Sequence, residues 1–198
     1  MSVRALLTML LTVAALLGCG DKLALPDNAQ FKNTDLTGLD YAKGFALTDH
    51  NGKPRTLADF KGKVVVIFFG YTHCPDVCPT TMAELSAVMQ QLGPLADKVQ
   101  VLFVTVDPER DTQELLAKYV PAFDQRFLGL RGDAAATAAV AKEFKVFYGK
   151  QPGKTEGSYT MDHTAASYVF DPEGRIRLFI RHGQGAEPIV SDLKLLLK

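Results

Sequence analysis

Cys74 and Cys78 stand four residues apart in the run Gly70-Tyr71-Thr72-His73-Cys74-Pro75-Asp76-Val77-Cys78-Pro79. On a helix such a pair shares one face, about 6 Å apart along the axis, which is within reach of a disulfide. The same two thiolates can instead grip a soft metal ion. Redox chemistry and metal binding are both open to the pair. Ahead of it, Val64 to Phe69 is a continuous β-branched and aromatic run, the pattern of a strand buried on both faces. Behind it, Thr80 to Leu92 carries apolar residues at 82, 85, 88, 89 and 92, which is helical spacing. The cysteines therefore fall where a buried strand turns into a helix. Unpaired N–H groups and the positive end of the helix dipole favour thiolates there. Pro75 suits a first-turn position, where its missing N–H costs nothing.

The elements that must hold this turn follow in order. Phe45 to Thr48 and Thr56-Leu57 flank the tight-turn pair Asn51-Gly52 and predict a hairpin. Gly93-Pro94 stops the cysteine helix, and Val99 to Val106 predicts a second buried strand. Asp111 to Glu114 has the pattern of a capping box, with Asp111 as N-cap, opening a helix that Pro121 ends. Asp133 caps an alanine-rich helix over Ala134 to Glu143, and Val146 to Tyr148 is a brief strand. Gly149 to Asp162 is polar and glycine-rich and predicts the longest irregular loop, the kind that borders a site. Thr164 to Phe170 and Arg175 to Ile180 are two further strands, joined by Asp171-Pro172-Glu173-Gly174. Glu187 to Leu197 closes the chain as a helix. The alternation of strands and helices with a late hairpin predicts an α/β, thioredoxin-like fold: a central mixed sheet flanked by helices, with an N-terminal hairpin extension.

In that topology the segment Met161-Asp162-His163-Thr164 passes beside the cysteine turn, and an imidazole at His163 can reach both sulfurs. Asp162 can orient that ring as a hydrogen-bond acceptor or simply end the loop. Asp76, between the cysteines, is a first-turn carboxylate or a weak ligand for Cu(II). His73 reads as a loop histidine. Met82 falls on the cysteine face of the helix, but a methionine in a helical stripe reads as core packing. His50 and His182 are expected at the surface, and Asp107, Arg110 and Asp111 as loop and cap structure. Zinc fits less well, because a structural zinc site takes four protein ligands.

The 198 residues suffice for one domain with a real core. A formal net charge of zero with scattered Lys and Arg excludes a nucleic-acid-binding stripe. Of the three cysteines, Cys19 follows an apolar run from Ala5 to Leu17, the length of a signal-peptide core. Leu16-Leu17-Gly18-Cys19 resembles a bacterial lipobox, in which the cysteine is lipidated. An ordinary secretory signal and an uncleaved anchor are the alternatives; all three export the domain. The expected organisation is a lipoprotein signal at 1–18, a tether at 19–40 and the thioredoxin-like domain at 41–198.

Four stretches together resemble the Sco/SenC family of copper-binding, membrane-tethered thioredoxin-fold proteins. They are Phe69 to Pro79, Thr105-Val106-Asp107-Pro108-Glu109-Arg110-Asp111-Thr112, Asp162-His163-Thr164 and Asp171 to Gly174, in order across about residues 40–198. Gln113, where the family often has proline, is a small departure. The resemblance implies that Cys74, Cys78 and His163 bind one copper, as Cu(I) or Cu(II), and that the protein helps to mature the dinuclear copper centre of cytochrome c oxidase. Implied partners are the copper-bearing subunit of that oxidase and another periplasmic copper carrier, met by a monomer lipid-anchored through Cys19 on the periplasmic side of a bacterial membrane. The resemblance thus implies a metallochaperone, with thiol–disulfide reductase activity left open. The alternatives are a thiol–disulfide reductase cycling through a Cys74–Cys78 disulfide and, further off, a peroxiredoxin-like redox sensor.

Overall fold

The structure is a computed structural model and describes residues 31–198. The expected signal peptide, Cys19 and the first part of the tether lie outside the described residues. In chain order the elements are β1 (Thr34–Asp35), β2 (Ala46–Asp49), β3 (Pro54–Thr56), β4 (Val64–Gly70), α1 (Val77–Leu92), β5 (Val99–Thr105), α2 (Gln113–Tyr119), β6 (Leu128–Arg131), α3 (Ala134–Glu143), β7 (Tyr148–Pro152), β8 (Tyr159–His163), β9 (Ala166–Phe170), β10 (Ile176–Arg181) and α4 (Ala186–Leu196). Eight strands form one sheet in the order β1-β10-β9-β4-β5-β6-β2-β3, and β7 pairs only with β8. The central neighbours β4, β5 and β6 are parallel, while β9 and β10 add antiparallel. Among the described residues no helix is long and apolar enough to cross a membrane.

β4 and β5 are buried at every position; β4 is an apolar run, and β5 is apolar but for Thr105 and Gln100, whose amide donates to the Val101 and Arg126 carbonyls. Their register sets Phe68 against Phe103 and Gly70 against Thr105. The buried stripe of α1 is Cys78, Thr81, Met82, Leu85, Val88, Met89 and Leu92, the i, i+3, i+4 spacing of a helix face laid on a core. Each large side chain sealed in this way stabilises the fold by about 1.5–3 kcal/mol. The helix stops at Gly93, whose φ of 56° is a backbone conformation that glycine adopts without steric cost.

Several elements of the fold depart from the sequence reading. Residues 32–36 lie in the stretch expected to be tether, yet they are docked. Thr34–Asp35 pairs with β10, and the Lys32 and Asn33 backbone N–H groups donate to the buried Asp192 carboxylate at 2.8 and 2.9 Å. The expected loop at Gly149 to Asp162 is largely the β7–β8 hairpin, whose polar, outward residues leave only a weak alternating pattern to read. β6 was not expected, because its four residues include a glycine and an arginine. His50, expected at the surface, is buried beside β6, where its Nδ1 accepts from Gly129 N at 3.0 Å.

Candidate metal centre

α1 begins at Val77, so Cys78 lies in its first turn while Cys74 and Pro75 precede it. The cysteines are thus not both on the helix. Instead, the Cys78 N–H points back and donates to Cys74 Sγ at 3.4 Å. Both are free thiols; Cys74 is half-buried and Cys78 is fully buried. Burial pushes the Cys78 thiol pKa up, against the expectation that a helix start favours a thiolate; its place under the core outweighs the local dipole. A coordinated cation would reverse that balance, since metal binding deprotonates a thiol outright.

Gly70 ends β4 directly beneath this sulfur. A Cβ on it would lie 3.0 Å from Cys78 Sγ, 2.9 Å from Phe68 Cε1 and 3.0 Å from Phe103 Cε2. No side chain fits there unless a neighbour moves, so the glycine makes the pocket that Cys78 occupies.

His163 ends β8. Strand alternation turns Tyr159, Met161 and His163 toward the domain and Thr160 and Asp162 toward solvent. The His163 Nε2 lies 3.4 Å from Cys78 Sγ, and its ring packs edge-on against Phe68 and Tyr71. Nδ1 lies 3.2 Å from the Thr164 carbonyl oxygen. A carbonyl only accepts, so Nδ1 carries the proton and Nε2 faces the sulfurs with its lone pair. Thr164 O takes the orienting role considered for Asp162, whose side chain points away because it sits on the opposite face of the strand. Burial lowers the His163 pKa and favours the neutral, ligating imidazole.

Among the described residues, Cys74, Cys78 and His163 are the group of donors that could hold a metal ion, with their ligand atoms all within 4.8 Å of one another. Two sulfurs and one imidazole nitrogen make a soft, three-donor set suited to copper and one ligand short of a structural zinc site. Asp76 is exposed, and its backbone carbonyl accepts from Thr80 in the first turn of α1. Met82 is wholly buried in the core. His73 is half-exposed, with Nδ1 3.0 Å from Thr72 Oγ1. His182 is exposed and bonds Thr81 Oγ1 through Nδ1 at 2.9 Å.

The segment after β5 does more than end a strand. Asp111 is not the helix cap; Thr112 is, accepting from Leu115 N. The Asp111 carboxylate is fully buried and accepts from Thr72 N, from Thr72 Oγ1 at 2.6 Å and from Thr105 Oγ1 at 2.6 Å. It ties the loop that enters Cys74 to the end of β5. The capping-box pattern concealed this role, because an aspartate before a helix has the same local signature whether it faces the helix or the core. Tyr159 carried no signal, and Gly70 stood only as one residue of the cysteine motif, since the importance of both lies in what packs against them.

Residues 33–198 match the family model described as SCO1/SenC. The mitochondrial protein SCO2 homolog of Bos taurus is 41% identical over 152 residues, covering 76% of this chain. The match spans only 57% of that relative's length. The structure of Bradyrhizobium japonicum ScoI with copper bound is 47% identical, with a TM-score of 0.71 over 76% of this chain and 96% of that one. Apo Sco1 from Thermus thermophilus, solved in solution, is 40% identical, with a TM-score of 0.77 over 87% of this chain and all of that one.

Proposed function

Because the chain belongs to the SCO1/SenC family, we propose that it carries one copper ion between Cys74, Cys78 and His163 and hands it on during assembly of the copper centre of cytochrome c oxidase. The observation that carries this reading is the convergence of two sulfurs and an imidazole nitrogen within 4.8 Å, from segments far apart in the chain. The copper-bound Bradyrhizobium relative supports the choice of metal. Copper is cargo here. Half-buried Cys74 is the ligand that an acceptor's thiolate can replace first, and buried Cys78 the one that holds on last. The partner is the copper-bearing oxidase subunit. The lipobox-like Leu16 to Cys19 supports lipidation at Cys19, which would hold the domain on the periplasmic face of a bacterial membrane. Anaerobic copper loading tests the reading. One copper per chain, with a thiolate-to-Cu(II) charge-transfer band, is expected, and both are lost in Cys74→Ala and Cys78→Ala.

The unequal burial of the cysteines also favours a second reading, reduction of the acceptor's disulfide. Cys74 sulfur attacks one acceptor sulfur and expels the other as a thiolate. Cys78 sulfur then displaces the mixed disulfide, leaving a Cys74–Cys78 disulfide and an acceptor dithiol, with two electrons passed on. A copper-free protein that reduces the acceptor stoichiometrically would establish this reading over the first. Neither reading calls for peroxide chemistry, which ranks below both.

A further inference from the structure

We infer that Arg110 is a positioning residue that latches the β7–β8 hairpin onto the domain and so fixes His163 over the cysteines; this rests on the copper reading above. The hairpin belongs to no other sheet, so its own pairing does not hold it in place. Met161 buries its side chain in the core and the base of the hairpin joins β9, but the far end, at Tyr159, is held by the segment 107–111. The Arg110 guanidinium lies 3.6 Å from the centre of the Tyr159 ring, and its Nη1 donates to the Tyr159 carbonyl at 2.9 Å. Arg110 Nε donates to Asp107, whose other carboxylate oxygen accepts from Tyr159 Oη at 2.9 Å. Arg110, Asp107 and Tyr159 thus close a ring of contacts across the gap. An outer ion pair, Lys150 to Glu109 at 2.6 Å, lies alongside but is exposed and contributes little.

Tyr159 and His163 lie on the same face of β8, at its two ends. A rigid strand clamped at Tyr159 therefore sets where the imidazole falls. The same short segment holds the other half of the ligand set, since Asp111 binds the loop entering Cys74. One stretch of five residues thus registers the imidazole and the loop that carries Cys74 against the sheet. Lysine cannot replace Arg110, because a compact ammonium does not stack on the ring while donating to a carboxylate and a carbonyl.

The test is a double-mutant cycle on Cu(I) affinity, measured by competition with a chromophoric chelator, combined with hydrogen exchange on the metal-free protein. Arg110→Ala removes a stacked cation and charge-assisted hydrogen bonds, so affinity is expected to fall about tenfold or more. In the His163→Ala background the same substitution is expected to have no further effect. In metal-free Arg110→Ala, the β8 amides should exchange faster while β4 and β5 keep their protection. Arg110→Lys should not rescue either property. Should Arg110→Ala not fold, Tyr159→Ala breaks the latch from the hairpin side and is read in the same way. Additive losses in the cycle, or unchanged exchange in β8, would overturn the latch. If His163→Ala itself keeps full affinity, the imidazole-ligand reading falls, and the metal-free exchange result alone decides for or against the latch.

Discussion

His163 Nε2 lies 3.4 Å from Cys78 Sγ across 85 residues of sequence, with its other ring nitrogen donating to the Thr164 carbonyl. The ring is held neutral and aimed before any metal arrives. That arrangement has a consequence for pH. Burial lowers the folded-state pKa of His163, and also that of His50. The unfolded chain therefore binds protons first as pH falls below about 6.5. Stability from these groups is complete above that pH and declines as pH drops toward their lowered folded values. Urea denaturation of metal-free protein between pH 7.5 and 5 should show this decline. It should be shallower in His163→Gln, and an identical slope in that variant would contradict the assignment.

Gly70 and Cys78 give a second prediction. A methyl group at residue 70 would lie 3.0 Å from the sulfur and no farther from two phenylalanine rings. Gly70→Ala should cost about 1–3 kcal/mol by overpacking. Because Cys78 is one of the neighbours that must give, the copper charge-transfer band should shift or weaken even where the variant remains folded. Denaturation midpoints and absorption spectra together check it; an unchanged spectrum in a destabilised variant would mean that the rings move and the sulfur does not.

The cysteines should also react unequally. Cys74 is half-buried and Cys78 fully buried, with its thiol pKa raised by that burial. Limited alkylation of the metal-free, reduced protein should label Cys74 first, by at least about tenfold, because Cys74 is the more accessible and burial holds Cys78 as the unreactive thiol. Peptide mapping by mass spectrometry reads the ratio. Equal labelling would show that the first turn of α1 opens readily.

These relationships divide by how local their causes are. The buried strand, the helix behind it and the glycine stop were legible because each depends on a pattern within a few residues, as in Val64 to Phe69 and in the stripe through Met82. His163 as partner of the cysteines was legible from topology, since the order of strands brings it back to the turn. Thr164 as its orienting acceptor was not, because the choice between a carbonyl and Asp162 depends on which face of β8 each occupies. The hairpin was hidden for a related reason: it buries little, so its alternation is faint. Asp111 and His50 were misplaced because a cap or turn signature says nothing about whether the side chain faces solvent or a neighbouring strand.

Asp111 supplies the last prediction. Its buried carboxylate satisfies three donors on two separate segments, and with alanine in its place Thr72 N, Thr72 Oγ1 and Thr105 Oγ1 lose their acceptor. Burying unsatisfied donors makes Asp111→Ala destabilising by about 2–3 kcal/mol. Asparagine keeps one acceptor oxygen and should recover part of this. A general loss of packing would lower stability and leave the site's chemistry alone. The Thr72 bonds, however, hold the loop two residues before Cys74, so their loss should also change how fast Cys74 is alkylated in protein that is still folded. Measured below the denaturation transition, a changed Cys74 rate in Asp111→Ala with an unchanged Cys78 rate would place the effect in that loop. If both rates stay at their wild-type values, Asp111 serves only the sheet, and the cysteine loop keeps its shape through the core packing of Tyr71 and Cys78.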